Sequence, residues 1–139
     1  MPVNLTPGFL VNRFDNLISY LFILIINSEK MAYNLELASR IRNATALFPE
    51  TFTEKKMFGG VAFLYGGKLT VGPVKNDLMV RVIASKMDKV LAMENVRPMD
   101  FTGKPMKEFI FVSAEGYKTE AQLNDWIALG LEHAKSKLV

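Results

Sequence analysis

The sequence predicts an α+β domain of two layers, a mainly antiparallel sheet with helices on one face, in the order α-β(3–4)-α-β(1–2)-α. Three observations predict it. Apolar residues recur at helical spacing in three separate stretches, over 35–48, after Ser85 and after Thr119. Between the first two stretches lie β-branched and aromatic runs, parted by only two or three turn residues. Links that short join antiparallel neighbours, because a parallel pair needs a crossover of a dozen or more residues. Helices set against such a sheet bury their apolar stripes on one of its faces.

The first helix is expected over residues 35–48. Leu35, Ala38 and Ile41, with Leu37, Ala44 and Phe48, mark its buried side, and Arg40 and Arg42 face water. Asn34 is placed as its N-cap and Pro49 ends it. Strands follow at Thr53–Phe58 and at Val61–Tyr65, and the second is apolar throughout, which suits a central position. Gly59-Gly60 permits a turn or bulge, and Gly66-Gly67 signals a hairpin. Lys68–Val74 is a third strand, in which Pro73 implies an edge or a strand end. After Lys75-Asn76-Asp77, Leu78–Val82 alternates, with Leu78, Val80 and Val82 facing a core and Met79 and Arg81 facing away.

Ser85 is read as the cap of a second helix, with Asp88 as its capping-box partner and Met87, Val90 and Leu91 as its apolar stripe. That helix ends before Pro98. Residues 98–107 hold two prolines and a glycine and read as a structured loop, followed by a strand at Phe109–Val112. Thr119 and Gln122 form a capping box for the last helix, whose buried side is Leu123, Trp126, Ile127, Gly130, Leu131 and Ala134.

Composition bounds the chemistry. With 139 residues, half of them hydrophobic, the chain suffices for one globular core. The absence of cysteine excludes disulfides, thiolate nucleophiles and cysteine metal sites. A formal charge of +3 is compatible with nucleic acid but is no footprint of it. Residues 1–30 differ from the rest. Leu17–Ile26 is an apolar run broken only by Ser19 and Tyr20, too short to span a bilayer, which takes about 20 apolar residues. An upstream extension of the true start is the favoured reading, since Met31-Ala32-Tyr33 opens the patterned region. A membrane-surface anchor and a signal segment are the alternatives. The domain is therefore placed at 31–139, with no membrane role expected of it.

Three blocks stand out: Lys56-Met57-Phe58-Gly59-Gly60 with the apolar strand after it, Asp77-Leu78-Met79-Val80-Arg81, and Arg97-Pro98-Met99-Asp100-Phe101-Thr102-Gly103-Lys104-Pro105-Met106. Together they closely resemble the N-terminal domain of the TfoX/Sxy family, over about residues 31–137. The resemblance implies a fold similar to those of secretion chaperones and YjbR-like proteins. It also implies a link to bacterial competence, since the best-known members act as coactivators with a cyclic-AMP-responsive transcription factor. Full-length members carry a further helical domain, and this sequence resembles the first domain alone.

No catalytic constellation is visible. His133 is the sole histidine and is read as a helix C-terminal residue that favours the dipole. The acids are scattered without metal-ligand spacing, and neither glycine pair has the sequence of a phosphate loop. Asp100 is read as bonding within its own turn or as pairing with Arg81, so that the two brace the proline-rich loop. The expectation is a cytoplasmic, non-enzymatic regulatory domain that needs no cofactor or metal and works through a protein partner. Its candidate surface joins Lys56, Met57, Phe58, Gly59 and Gly60 to Arg81, Arg97, Met99, Asp100, Phe101, Gly103, Lys104 and Met106, with adaptable methionines meeting the partner. The alternative is direct DNA binding through the lysines at 55, 56, 68, 75, 104 and 107. A homodimer is compatible with either.

Overall fold

The computed structural model describes residues 33–57, 60–100 and 105–138, without the side chains of Met57 and Pro105. Residues 1–30, and Phe58, Gly59, Phe101, Gly103 and Lys104 of the candidate surface, lie outside the described residues.

The described chain is an α+β domain built on one open, antiparallel sheet. Helix α1 spans Leu35–Thr45. Strands β1 (Thr53–Met57), β2 (Gly60–Tyr65), β3 (Lys68–Val74) and β4 (Asp77–Arg81) then form an antiparallel run. A 3₁₀ turn at Ala84–Lys86 leads into the short helix α2 (Met87–Leu91). Strands β5 (Val96–Asp100) and β6 (Pro105–Val112) follow, then a 3₁₀ turn at Ala114–Tyr117 and the long helix α3 (Glu120–Ser136). The order across the sheet is β1-β2-β3-β4-β6-β5.

Local chemistry accounts for the element ends. Asn34 Oδ1 accepts from the Leu37 N–H at 2.9 Å and starts α1. Helical bonding stops at Thr45, three residues before the expected end, and single turns carry the chain to Phe48 through Leu47 N–H to Ala44 O and Phe48 N–H to Thr45 O. At α3, Thr119 Oγ1 accepts from the Gln122 N–H at 3.1 Å while Gln122 Oε1 accepts from the Thr119 N–H at 2.8 Å, so the reciprocal box is complete. Gly66 and Gly67 both have positive φ, +59° and +80°, as a two-residue hairpin turn requires.

The main core lies between the sheet and the helices. Leu37 and Ile41 of α1, Phe63, Val71, Leu78, Val80, Ile110 and Val112 of the sheet, and Leu123, Trp126 and Ile127 of α3 form it. The opposite sheet face carries a second apolar cluster of Ala62, Leu69, Val74, Met79, Met99 and Phe109. Leu69 and Val71 serve different faces although they are two residues apart. The register shift opposite Phe63/Leu64 inserts Thr70 as the extra residue, and its hydroxyl donates to Phe63 O at 2.7 Å.

Four expectations change. Residues 98–107 are not a loop: most of them belong to the β5–β6 hairpin, because Pro98 sits on an edge strand, where a missing N–H costs no ladder bond. Pro73, expected at a strand edge or a strand end, does mark a strand end, and its strand is interior. Ser85 makes no cap; it lies inside the 3₁₀ turn, and α2 has no side-chain cap bond. Leu35, placed on the buried stripe, is 70% exposed, because the inner face of α1 runs along Leu37, Ala38, Ile41 and Ala44. Arg40 also leaves the water side. Its guanidinium donates to the carbonyls of Tyr117 and Lys118 and pairs with Glu120, which ties α1 to the start of α3.

Candidate functional site

The described residues among those singled out from the sequence do not meet at one surface. The β1–β2 link lies at the end of the sheet where Met57 pairs with Gly60, on the β1 edge. The β5–β6 tip, where Asp100 pairs with Pro105, lies on the other edge. The antiparallel register sets these two links at opposite ends of the sheet, and five strand spacings part the edges, about 24 Å along the sheet. Lys56 is exposed, but Gly60 is buried. Met99 is 2% exposed and belongs to the second core, and Met106 packs against the same cluster. These methionines fill the protein's interior and do not offer an adaptable contact surface. The described lysines are likewise dispersed: Lys55 and Lys56 point to opposite faces of β1, and Lys107 stands on β6, four strands away.

Arg81 and Asp100 do not pair. Arg81 extends from the last position of β4, over the ring of Phe109 at 4.2 Å from its centroid. Its Nη2 lies 3.3 Å from His133 Nε2 and 3.8 Å from Glu108 Oε1. His133 Nε2 is 2.7 Å from the same carboxylate oxygen. A carboxylate only accepts, so the Nε2–H donates to Glu108 and the approach of Arg81 is electrostatic. His133 is 2% exposed. Burial holds its pKa below the ordinary histidine range, the bond to Glu108 opposes that, and Arg81 adds to it. Glu108 is held below the ordinary carboxylate range, chiefly by the His133 bond. The imidazole is therefore neutral at pH 7, and its Nδ1 is buried without a partner. This corrects the reading of His133 as a simple dipole residue.

Arg97 has a similar structural task. Its guanidinium pairs with Asp77 and lies 5.0 Å from the centroid of Phe111, so it reaches from the edge strand across β6 to β4. Among the described residues no group of three or more His, Asp or Glu is placed to hold a metal ion. No helix of the described residues is long and apolar enough to cross a membrane.

A concavity lies elsewhere, between α2 and α3. It has a volume of about 570 Å³. Val90 and Met93 form one wall and Trp126 and Leu129 the other. The indole Nε1–H donates to Gly116 O at 2.8 Å, which fixes the ring in the wall. Lys86 closes one end by donating to both carboxylate oxygens of Glu132, at 2.8 and 3.1 Å. Glu94, Asn95, Gln122 and Asp125 complete the rim. The lining contains no histidine, serine, threonine, tyrosine or arginine. Sequence reasoning missed it. The usable signal was a second stripe on α3, with Gln122, Asp125, Leu129 and Glu132 running beside the core stripe.

Comparison with known proteins agrees with the motif blocks. The family model of the TfoX N-terminal domain matches residues 45–134. No curated protein and no solved structure gives a significant match. The matched span runs from the end of α1 almost to the end of α3 and takes in the whole sheet, well over half of the chain. This chain belongs to the TfoX N-terminal domain family.

Proposed function

We propose that the chain is a non-enzymatic regulatory domain that works by contact with another protein. The TfoX N-terminal domain is linked to competence and regulation in general. The observation that carries the reading is the α2–α3 groove. Its apolar walls, the half-exposed Met93 and an indole held in place by a backbone carbonyl are features of a docking site for a side chain. The scattering of the described lysines over two faces favours this reading over direct DNA contact, which draws on a continuous cationic face.

Photo-crosslinking in cells tests it. A photoreactive residue at position 93 is expected to give a discrete protein adduct, and the same residue at position 55 is not. Adducts that nuclease removes, or none at position 93 with a clear adduct at position 55, would overturn the groove as the contact surface.

A further inference from the structure

Resting on that protein-contact reading, we infer that the α2–α3 groove takes a basic amphipathic segment, one that seats an aliphatic or aromatic side chain against Trp126 and surrounds it with lysine or arginine. The argument is charge complementarity around apolar walls. The lining carries three acids, Glu94, Asp125 and Glu132, and one base, Lys86. Lys86 is already committed to Glu132. Among the described residues no cation pairs with Glu94 or Asp125, so the remaining charge at the rim is negative.

This local sign opposes that of the whole chain, which carries +3. A cationic segment is therefore not drawn to the protein at large. It is attracted where the two acids stand, which makes the groove selective as well as attractive. An acidic segment or a nucleic-acid phosphate meets the reverse arrangement there. The shape agrees, because Val90 and Met93 on one side and Trp126 and Leu129 on the other supply two apolar walls, and an amphipathic helix docks by laying one stripe between such walls.

The chain has a single tryptophan, and it lines the groove, so its emission reports occupancy without a label. The probe is a helical peptide of about four turns with leucines at i, i+3 and i+7 and lysines elsewhere. Its control carries glutamates in place of the lysines. The full chain is titrated with each at low and moderate salt. The lysine probe is expected to shift Trp126 emission and saturate, at least about tenfold more tightly than the control, and to weaken as salt rises. The double variant Glu94→Lys/Asp125→Lys changes exposed positions and is expected to reverse the preference with an unchanged melting temperature.

Equal affinity for the two probes, tighter binding of the glutamate probe, or no emission response to either would overturn the inference. If the emission stays unchanged while position 93 still crosslinks to a protein, the basic partner falls and the protein-contact reading stands. Loss of both results removes both.

Discussion

His133 Nε2 lies 2.7 Å from Glu108 Oε1, and this bond joins the C-terminal part of α3 to the strand that pairs with β4. Glu108 occupies a positive-φ position, +65°, immediately before the β4–β6 register, and Arg81 and Lys137 face it from two other elements. Four side chains from β4, β6 and the end of α3 thus converge. Glu108 is the hub, since it is the acceptor that His133, Arg81 and Lys137 all approach.

The arrangement makes stability depend on pH, and the sign follows from the direction of each shift. His133 has a folded pKa below its ordinary value of 6.5, so below that pH the unfolded chain binds the proton more readily. Stability is full above 6.5 and falls as pH drops toward the folded pKa. Glu108, lowered from 4.5, contributes stability above 4.5 that is lost as pH falls through its own folded value. Urea midpoints measured from pH 7.5 down to 5 are expected to decline, and His133→Gln is expected to flatten the part nearest 6.5. An equal slope in the variant would show that other groups carry it.

Glu108 and Asp100 separate the two accounts of Arg81. Glu108→Ala leaves Arg81 and the His133 Nε2–H without their acceptor, and it is expected to cost about 2–3 kcal/mol. Asp100 is exposed and pairs with no cation among the described residues. Asp100→Ala is expected to stay within about 0.5 kcal/mol of the parent, as surface changes do. Denaturant unfolding of the full chain decides between them.

Gly130 faces two opposing effects. Alanine in a helix interior is about 1 kcal/mol better than glycine by propensity alone. An added Cβ at this position would stand 2.6 Å from Thr70 O and 2.9 Å from Thr70 C, both backbone atoms of the bulge in β3. Backbone cannot swing aside as a side chain does, so the helix must lift from the sheet. Gly130→Ala is therefore expected to destabilise by about 1–3 kcal/mol net. A raised melting temperature would show that α3 has room to move.

Tyr117 is buried, and its hydroxyl donates to Asn76 O, which pins the 3₁₀ turn before α3 to the β3–β4 link. Burial holds its pKa above the ordinary tyrosine value, so the donor persists into alkaline solution. Tyr117→Phe keeps the packing and leaves the carbonyl unpaired, at an expected cost of about 1 kcal/mol with an unchanged denaturant slope.

Met93→Asp concerns the groove alone. Met93 is 49% exposed, so melting should change little. Docking of a partner's apolar side chain should be lost, read as disappearance of the adduct from a photoreactive residue at position 129. Persistence of that adduct would place the contact off the Met93 wall.

Much of the fold was legible because its signals are local. Asn34 caps the first helix, Thr119 and Gln122 box the last, Gly66-Gly67 turns a hairpin, and the α3 stripe from Leu123 to Ala134 is buried as its spacing requires. Each depends on residues a few positions apart, where dihedral preference and helical or strand period decide the outcome.

The sequence by itself determined the class of the domain, the caps that start its first and last helices, the Gly66-Gly67 turn, and the family of its motif blocks. The tertiary structure alone decided which distant side chains meet. Arg81 turns to Glu108 and His133, 27 and 52 positions away, and not to Asp100, because β6 lies beside β4 and α3 ends above both. Met99 belongs to a second core because β5 lies on the outer side of β6 with its ladder shifted after Pro98, and no periodicity records that shift. The groove beside Trp126 exists because α2 and α3 approach each other across the 28 residues of chain between Leu91 and Glu120. Local preference acts within a turn or a strand. Charge pairing, burial and concavity are set by strand order and helix placement, which only the folded chain supplies.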